Sequence, residues 1–523
     1  MTSATCRTKT VSKTPACTTK LSPSSTAWRH KELAVTSAIR AAATGSTSRS
    51  RSTKSPTSEL ITIGKDVLEL LSSAMYVDPL TIYREYIQNA ADAIDDARRA
   101  GVLSKTDAGR VDININPVER SILIRDNGSG IAADRAAATL LSIGASGKRG
   151  TDARGFRGVG RLAGLAYCRV LTFRTRAAAN EPVVEVAWDC VKLKSTLRDV
   201  TQTDDLPGVM KRIVSISELD GSGYPEHFFE VELTQVVRLR RDALLSAPQI
   251  ETYLAQVAPV PFAREFRYAE KITAHLDGHV RMADLQIKIG AEGAPITRPY
   301  RDRFAVTDTV QDDACNVELL TFEGEDGLVA VGWLMHHSYL GHISTKSQVG
   351  GLRLRAGNVQ IGAASLADEV FPEARFNGWC IGEIHVIDRR VLPNARRDDF
   401  EQNIHYANLL AELGPLGRAI AKRCRDASVA RHRAREERVQ SEAAEVPRPL
   451  SAGPSEGGQA VARSDLLGAS FAASADRVAS MQAADGELGL VEKLIRLIAA
   501  SGATRAEVEY AFGETLRRQF DKD

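Results

Sequence analysis

The sequence lacks any apolar run approaching the roughly 20 residues that span a bilayer, so a membrane is not an expected partner. Its seven cysteines form no CxxC pair and no ladder of regular spacing. An odd, scattered set in a large chain points to reduced thiols and an intracellular, cytoplasmic setting. Cys168 and Cys380 lie in apolar stretches and read as packing residues. Net charge is nearly missing as well. The 68 Lys and Arg against 66 Asp and Glu leave +2, and no global field favours nucleic acid or membrane. No internal repeat is present. What is there is an ordinary globular composition, 43% hydrophobic and 26% charged over 523 residues, a length for about three domains.

Composition shifts along the chain. Residues 1–57 are rich in Ser, Thr and Ala, with ten Lys/Arg against the single acid Glu32. Such a segment buries too little apolar area to order itself; it reads as a disordered basic leader, a tail, or a start assigned too early. A first domain is expected over 58–238, with short strands at 111–115 and 121–125 around a turn at Asn116–Pro117, and further strands at 169–175, 182–188 and 228–235. A second, mixed α/β region follows over 239–443 and ends in a basic helix, 414–440. Residues 444–485 read as a linker rich in Pro, Gly, Ser and Ala. Residues 486–523 read as a helical hairpin, where Gly502 ends one helix and Thr504 with Glu507 has capping-box spacing for the next. The fold class expected is α+β.

Three stretches carry chemistry. In "YREYIQNAADAIDDA", residues 83–97, Glu85, Asn89, Asp92 and Asp96 share one helical stripe, beside an apolar stripe of Ile82, Tyr86, Ala90, Ala93 and Ala97. An amide oxygen one turn from a carboxylate suits a hard cation and a polarised water. Alone, the stripe reads more simply as a solvated acidic face paired with Arg84 or Arg98. Next, "IRDNGSGI" (124–131) places Asp126 at a strand end before a turn in which Gly128 and Gly130 permit positive φ. A carboxylate there can accept a hydrogen bond from an exocyclic amine such as that of adenine, though such turns are common. Third, "IGASGKRGTDARGFRGVGRLAG" (143–164) is long, glycine-rich and basic, and runs into a helix at about 160–167. Free N–H groups at that helix start, with Gly158, Val159 and Gly160, can cradle phosphates. Ser146, Lys148, Arg149, Arg154 and Arg157 make the stretch a candidate lid. No GxxxxGK[ST] loop occurs, and the order helix–strand–loop does not fit a dinucleotide fingerprint.

Taken in order, helix E-x3-N-x2-D-A, then D-x-G-x-G after a strand, then a glycine segment ending G-x-G resembles the ATP-binding module of gyrase B, histidine kinases, mismatch-repair ATPases and the heat shock protein 90 family, the last most closely. The resemblance covers roughly 58–410. It implies a two-layer α/β sandwich of the left-handed ATP-binding type, followed by an α/β middle domain. It implies ATP and Mg²⁺ as cofactors, Glu85 as the general base, and Asn89 as the Mg²⁺ ligand. Asp126 would read the adenine amine and Gly130 would let the base pack closely, with Gly128 in the same turn. Gly158, Val159 and Gly160 would meet the phosphates, Ser146 and Lys148 would close from the lid, and Asp92 would support the pocket. "GLRLRAGNVQIG" and "GEIHVIDRRVLPNARRDDFEQN" resemble the family's middle segment, whose arginine reaches the γ-phosphate; by that match it is Arg397, with Asn394 beside it. Unfolded proteins as clients and a homodimer are the implied partners, although the family's large C-terminal dimerisation domain is replaced here by a linker and hairpin. Phe228 and Phe229 stand where the family carries a Gly-Thr pair, which puts that hydroxyl contact in doubt. A switch in a DNA-associated or defence assembly is the alternative function, with nucleic acid the less favoured partner.

Overall fold

A computed structural model describes Leu68 and residues 78–445, with gaps at 105, 145–153, 156–157, 200, 202–203, 240 and 283–284. The leader, the hairpin, all but the first two residues of the expected linker, and Ser146, Lys148, Arg149 and Arg157 lie outside the described residues.

Two periodicities build the first layer pair. Helix α1 (Thr81–Arg99) follows the Pro79 turn and buries Ile82, Tyr83, Tyr86, Ile87, Ala90, Ala91, Ile94 and Ala97, a wide apolar face at helical spacing. Strands β1 (Gly109–Asn116) and β2 (Ser121–Asp126) alternate, with Val111 and Ile113 on one strand and Ile122 and Ile124 on the other facing the core. The Asn116 side chain closes their turn by accepting from the amides of Val118 and Glu119, each at 3.0 Å. Parity then puts Asp126, two residues beyond Ile124, on the buried side.

Helix α2 (Ala133–Leu141) and a 3-10 turn over Gly160–Ala166 precede β3 (Val170–Arg176) and β4 (Val183–Asp189). Asp189 caps α3 (Cys190–Arg198) by accepting from the amides of Val191 and Lys192, and Asp205 caps α4 (Leu206–Ile213) from Gly208. Strands β5 (Val214–Leu219) and β6 (Phe228–Thr234) complete the antiparallel set. The chain then forms α5 (Ala247–Val257), which joins the same core, and α6 (Ala269–Leu276), which does not. It returns as β7 (Leu285–Ile289), parallel to β1, to give a seven-stranded sheet in the order β5-β4-β3-β6-β2-β1-β7. The first core therefore continues past residue 238, where the sequence-based boundary lies: Leu244, Ile250, Leu254, Leu285, Ile287 and Ile296 all belong to it. Opposite the helices, Arg174 ties Glu185, Glu230 and Glu232, each at 2.8 Å, and Arg125 ties Glu230 at 2.6 Å. The result is a two-layer α/β sandwich.

The second module starts with a hairpin of β8 (Arg303–Ala305) and β9 (Gln311–Asp313). Its sheet contains β10 (Asn316–Gly324), β11 (Gly327–His336), β12 (Gly351–Ala356), β13 (Val359–Gln360) and β14 (Ile381–Val386), in the order β10-β11-β14-β12-β13. Both faces are covered, which is why β11 reads as a nearly continuous apolar run, while β12 and β14 bury Arg353, Arg355, Glu383 and His385 among their apolar residues. On one side lie Phe262, Phe266, Tyr300 and Trp333 with α6. On the other lies α7 (Ile404–Glu445), through Tyr406, Leu409, Leu413, Ile420 and Cys424. The expected helix 414–440 is the later part of α7, which continues through Pro415. A Cβ at Gly417 would collide with the Val370 carbonyl, so glycine there lets α7 press against the sheet layer.

Arg298, Arg355 and Glu383 are completely buried among these elements. Arg355 Nε lies 2.8 Å from Glu383 Oε1, and Arg298 pairs with the other oxygen. Both arginines also donate to backbone carbonyls of the connecting segment: Arg355 to Gln256 and Ala258, and Arg298 to Val260.

Among the described residues, those up to 428 make one compact unit, and 429–445 fall in a second. Residues 429–445 are the last turns of α7, where His432 Nδ1 lies 3.2 Å from Glu436. Among the described residues no helix is long and apolar enough to cross a membrane.

Candidate functional site

The polar stripe of α1 faces the glycine-rich segment. Glu85 is 7% exposed, Gln88 and Asp92 are buried, and Asn89 is half-buried. Asp92 accepts from the amides of Arg154 and Gly155, each at 2.9 Å, so it grips the backbone of the glycine-rich segment. Asp96 lies outside this contact and pairs with Arg99 at the surface. Two glycines allow the close approach. A Cβ at Gly155 would lie 3.2 Å from Asn89 Oδ1, and one at Gly160 would collide with Glu85 Oε2 and lie 3.2 Å from its Cδ. Gly158 has φ 72°, a conformation that glycine adopts without strain, and Val159 forms the N-cap of the 3-10 turn. Tyr86 secures that turn, its hydroxyl accepting from the Gly164 amide at 3.0 Å and donating to the Arg161 carbonyl at 3.2 Å.

The opposite wall is the end of β2. Asp126, 5% exposed, accepts from the Gly128 amide at 2.8 Å and folds the turn around its own carboxylate. Gly130 has φ 59°, and a Cβ there would collide with the Arg176 carbonyl and lie 2.9 Å from that of Phe228. At Gly128 a Cβ would stand 2.6 Å from Ala93 Cβ, so the turn packs directly on α1. Thr175 is a site-wall residue that motif spacing misses. Its buried hydroxyl donates to the Phe228 carbonyl at 3.1 Å and accepts from the Ile131 amide at 2.8 Å. The strand period offered one signal, since Leu171, Phe173 and Thr175 share a face. Thr175 pairs in register with Phe229, so a buried hydroxyl stands next to the strand where the sequence has two phenylalanines. His227 Nδ1 lies 2.8 Å from the Gly128 carbonyl and adds a second polar brace.

The second module delivers a cation to this wall. Arg397 adopts φ 56°, a conformation rare for a residue with a side chain, in the loop after β14. Its Nε lies 3.8 Å from Glu85 Oε1, and Nη2 donates to the Arg154 carbonyl at 2.6 Å. Arg84 holds the loop from below, donating to the carbonyls of Arg396 at 2.7 Å and Arg397 at 3.2 Å, and lies 3.4 Å from Glu85 Oε1. Asn394 ties its own loop, donating to Asp398 at 2.7 Å. Two cations around one nearly buried carboxylate is a costly arrangement whose desolvation an ordinary surface pair does not face.

Chemically, the wall offers a carboxylate for a water, an amide oxygen for a cation, a guanidinium for a phosphoryl group and a buried carboxylate for an amine. The donor set fits a magnesium nucleotide. Gln88 Oε1, beside Asn89, is buried without a hydrogen-bond partner and offers a further acceptor. Among the described residues no three His, Cys, Asp or Glu side chains converge as a metal cage. The Asn89 amide oxygen could hold a divalent ion together with water and phosphate oxygens, a ligand set that suits magnesium.

Residues 82–212 match the family model described as histidine kinase-, DNA gyrase B-, and HSP90-like ATPase. The chain carries a domain of that superfamily. Within residues 82–212 fall all of α1 but its first residue, Asp126 and the glycine-rich segment. Chaperone protein HtpG of Escherichia coli (strain K12) and that of Klebsiella pneumoniae subsp. pneumoniae are each 30% identical to this chain over 159 residues. The match covers 27% of this chain and 25% of either relative. The chain thus spans about a quarter of the length of the curated relatives it matches. Arg397 lies beyond the residues the family model covers, and its proximity to Glu85 is a finding of geometry alone.

Proposed function

We propose that the chain binds ATP and hydrolyses it as a chaperone-like machine. The observation that supports this best is Arg397 beside Glu85, 312 positions apart in sequence (397 − 85). In this reading the adenine amine donates to Asp126 and the phosphates lie along Gly158–Gly160, with Ser146 and Lys148 closing over them. Magnesium, held through Asn89, neutralises phosphate charge when bound. Glu85 orients a water and takes its proton as the new O–P bond forms and the bond to the ADP oxygen breaks. Arg397 meets the charge spread over the transferring phosphoryl group. Closure of the glycine-rich lid and docking of Arg397 couple turnover to the arrangement of the two modules, which is what a client-handling protein requires. Unfolded proteins are the proposed clients and a homodimer the proposed assembly.

The second reading is an ATPase switch in a DNA-associated or defence assembly. Lys422, Arg433, Arg435 and Arg438 on α7 are exposed and support it. Turnover measured with and without DNA, and with and without a denatured protein, separates the two. For the hydrolytic site itself, Glu85→Ala is expected to keep ATP binding and lose hydrolysis. Unchanged turnover in that variant sinks the assignment of the base.

A further inference from the structure

Arg154 joins four parts of this site. Its side chain is 1% exposed. Nη1 lies 2.6 Å from Asp95 and 3.3 Å from Asp92, both on α1. Nε donates at 2.8 Å to the carbonyl of Gly357, in the turn between β12 and β13 of the second module. Its amide donates to Asp92 at 2.9 Å, and its carbonyl accepts from Arg397 Nη2 at 2.6 Å. Gly357, with φ 58°, lets the arginine stem pass, since a Cβ there would lie 3.0 Å from Arg154 Cγ.

A cation helps a transferring phosphoryl group most when it is held in place before charge develops. Arg397 has a long side chain with several rotatable bonds, and one carbonyl of Arg154 fixes its far end. That carbonyl is held from both sides, because the Arg154 amide and guanidinium and the Gly155 amide are all hydrogen-bonded. A lysine could not do this, since a single ammonium has no fork to reach a carboxylate and a carbonyl in fixed directions.

We propose that Arg154 is a positioning residue for hydrolysis: it fixes the carbonyl that aims Arg397 at Glu85, so Arg397 is competent only while both modules hold Arg154. This rests on the ATP-hydrolysing reading above.

The test uses the full chain with Arg154→Ala, Arg154→Lys and Arg154→Ala combined with Arg397→Ala. It reads Mg-ATP turnover, ADP affinity by calorimetry, and exchange of the Gly362 amide, which donates to the Arg397 carbonyl at 2.9 Å. Turnover in Arg154→Ala is expected to fall roughly 10- to 100-fold, with ADP affinity kept within about threefold. The combined variant should be no slower than Arg397→Ala alone, because both changes remove one unit. Arg154→Lys should stay nearer to Ala than to wild type. Gly362 should exchange faster in Arg154→Ala without nucleotide. Wild-type turnover in Arg154→Ala, or losses that multiply in the combined variant, overturns the proposal. If the wild-type chain hydrolyses no ATP, the functional reading fails, and the Gly362 amide still decides the positioning: unchanged exchange overturns it and faster exchange supports it. Should Arg154→Ala fail to fold, Asp95→Asn removes the 2.6 Å partner alone and should shift the same readouts by less.

Discussion

Gly160→Ala is the smallest change that moves the proposed base. Gly160 does not adopt positive φ, so alanine keeps the backbone and the cost is one contact. The new Cβ would overlap Glu85 Oε2, and ordinary packing requires the carboxylate to retreat by roughly 1 Å. It has little room to turn, because Oε1 already faces Arg84 at 3.4 Å and Arg397 at 3.8 Å in a nearly buried setting. A misplacement of about 1 Å in a reacting group costs about 100-fold, or about 2.7 kcal/mol of activation free energy. Overpacking adds about 1–3 kcal/mol of lost stability. The assay is single-turnover ATP hydrolysis beside ADP calorimetry on protein shown to be folded. Hydrolysis should drop by about two decades, and the ADP affinity, read separately, shows how much of that drop comes from the phosphate contact at Gly158–Gly160 rather than from Glu85. Folded Gly160→Ala protein with wild-type turnover would refute the placement of Glu85 as the base.

Other outcomes follow from the same geometry. Asp126→Asn keeps an acceptor for the Gly128 amide but places an amide group where a carboxylate met an amine; nucleotide binding should weaken by about 1.5–3 kcal/mol, and wild-type affinity in calorimetry removes the adenine role. Acid should weaken the second module before it titrates most carboxylates. Burial pulls the His385 imidazole down to about 4, although Glu383 at 3.4 Å opposes this. The unfolded ring, near 6.5, then binds a proton that the folded ring refuses, so stability present above about pH 6.5 is lost as pH falls toward 4. Between pH 7 and 5 the loss is about 2 kcal/mol. Denaturant midpoints should show this slope in the wild type and a flatter one in His385→Asn; parallel slopes would exclude His385 as the source.

Much of the site was legible because local periodicity fixes it. Helical spacing predicts both faces of α1, and the two-residue period carries Asp126 to the buried side of β2. The Asn116 turn announces itself, as does β11 of the second module, whose apolar run comes from burial on both faces. Long-range partners leave no such mark. Strand β7 is five residues long and finds its parallel neighbour β1 more than 170 positions upstream, where nothing local specifies the pairing. Arg154 is one of several basic residues in a glycine-rich stretch, and only the fold distinguishes it from them. The resemblance names Arg397, but the positive φ of that residue, which stands beside Glu85, has no sequence signal. Helices α3 and α4 did carry readable starts, in Asp189 and in Asp205 with Pro207, but their short lengths give little periodicity to weigh.

The return of β7 changes what the two modules are to each other. The chain leaves the first core after Val260, enters the second at Phe262, comes back for Leu285 and Ile287, and leaves again between Ile296 and Tyr300. The modules are therefore laced by three passages rather than joined by one tether. Arg298 on the third passage and Arg355 on β12 both grip carbonyls near the first passage, with Glu383 between them, so the lacing is knotted where it crosses. A cut in any single loop would leave both halves still threaded together. A rotation of one module against the other would have to bend three segments in concert rather than one.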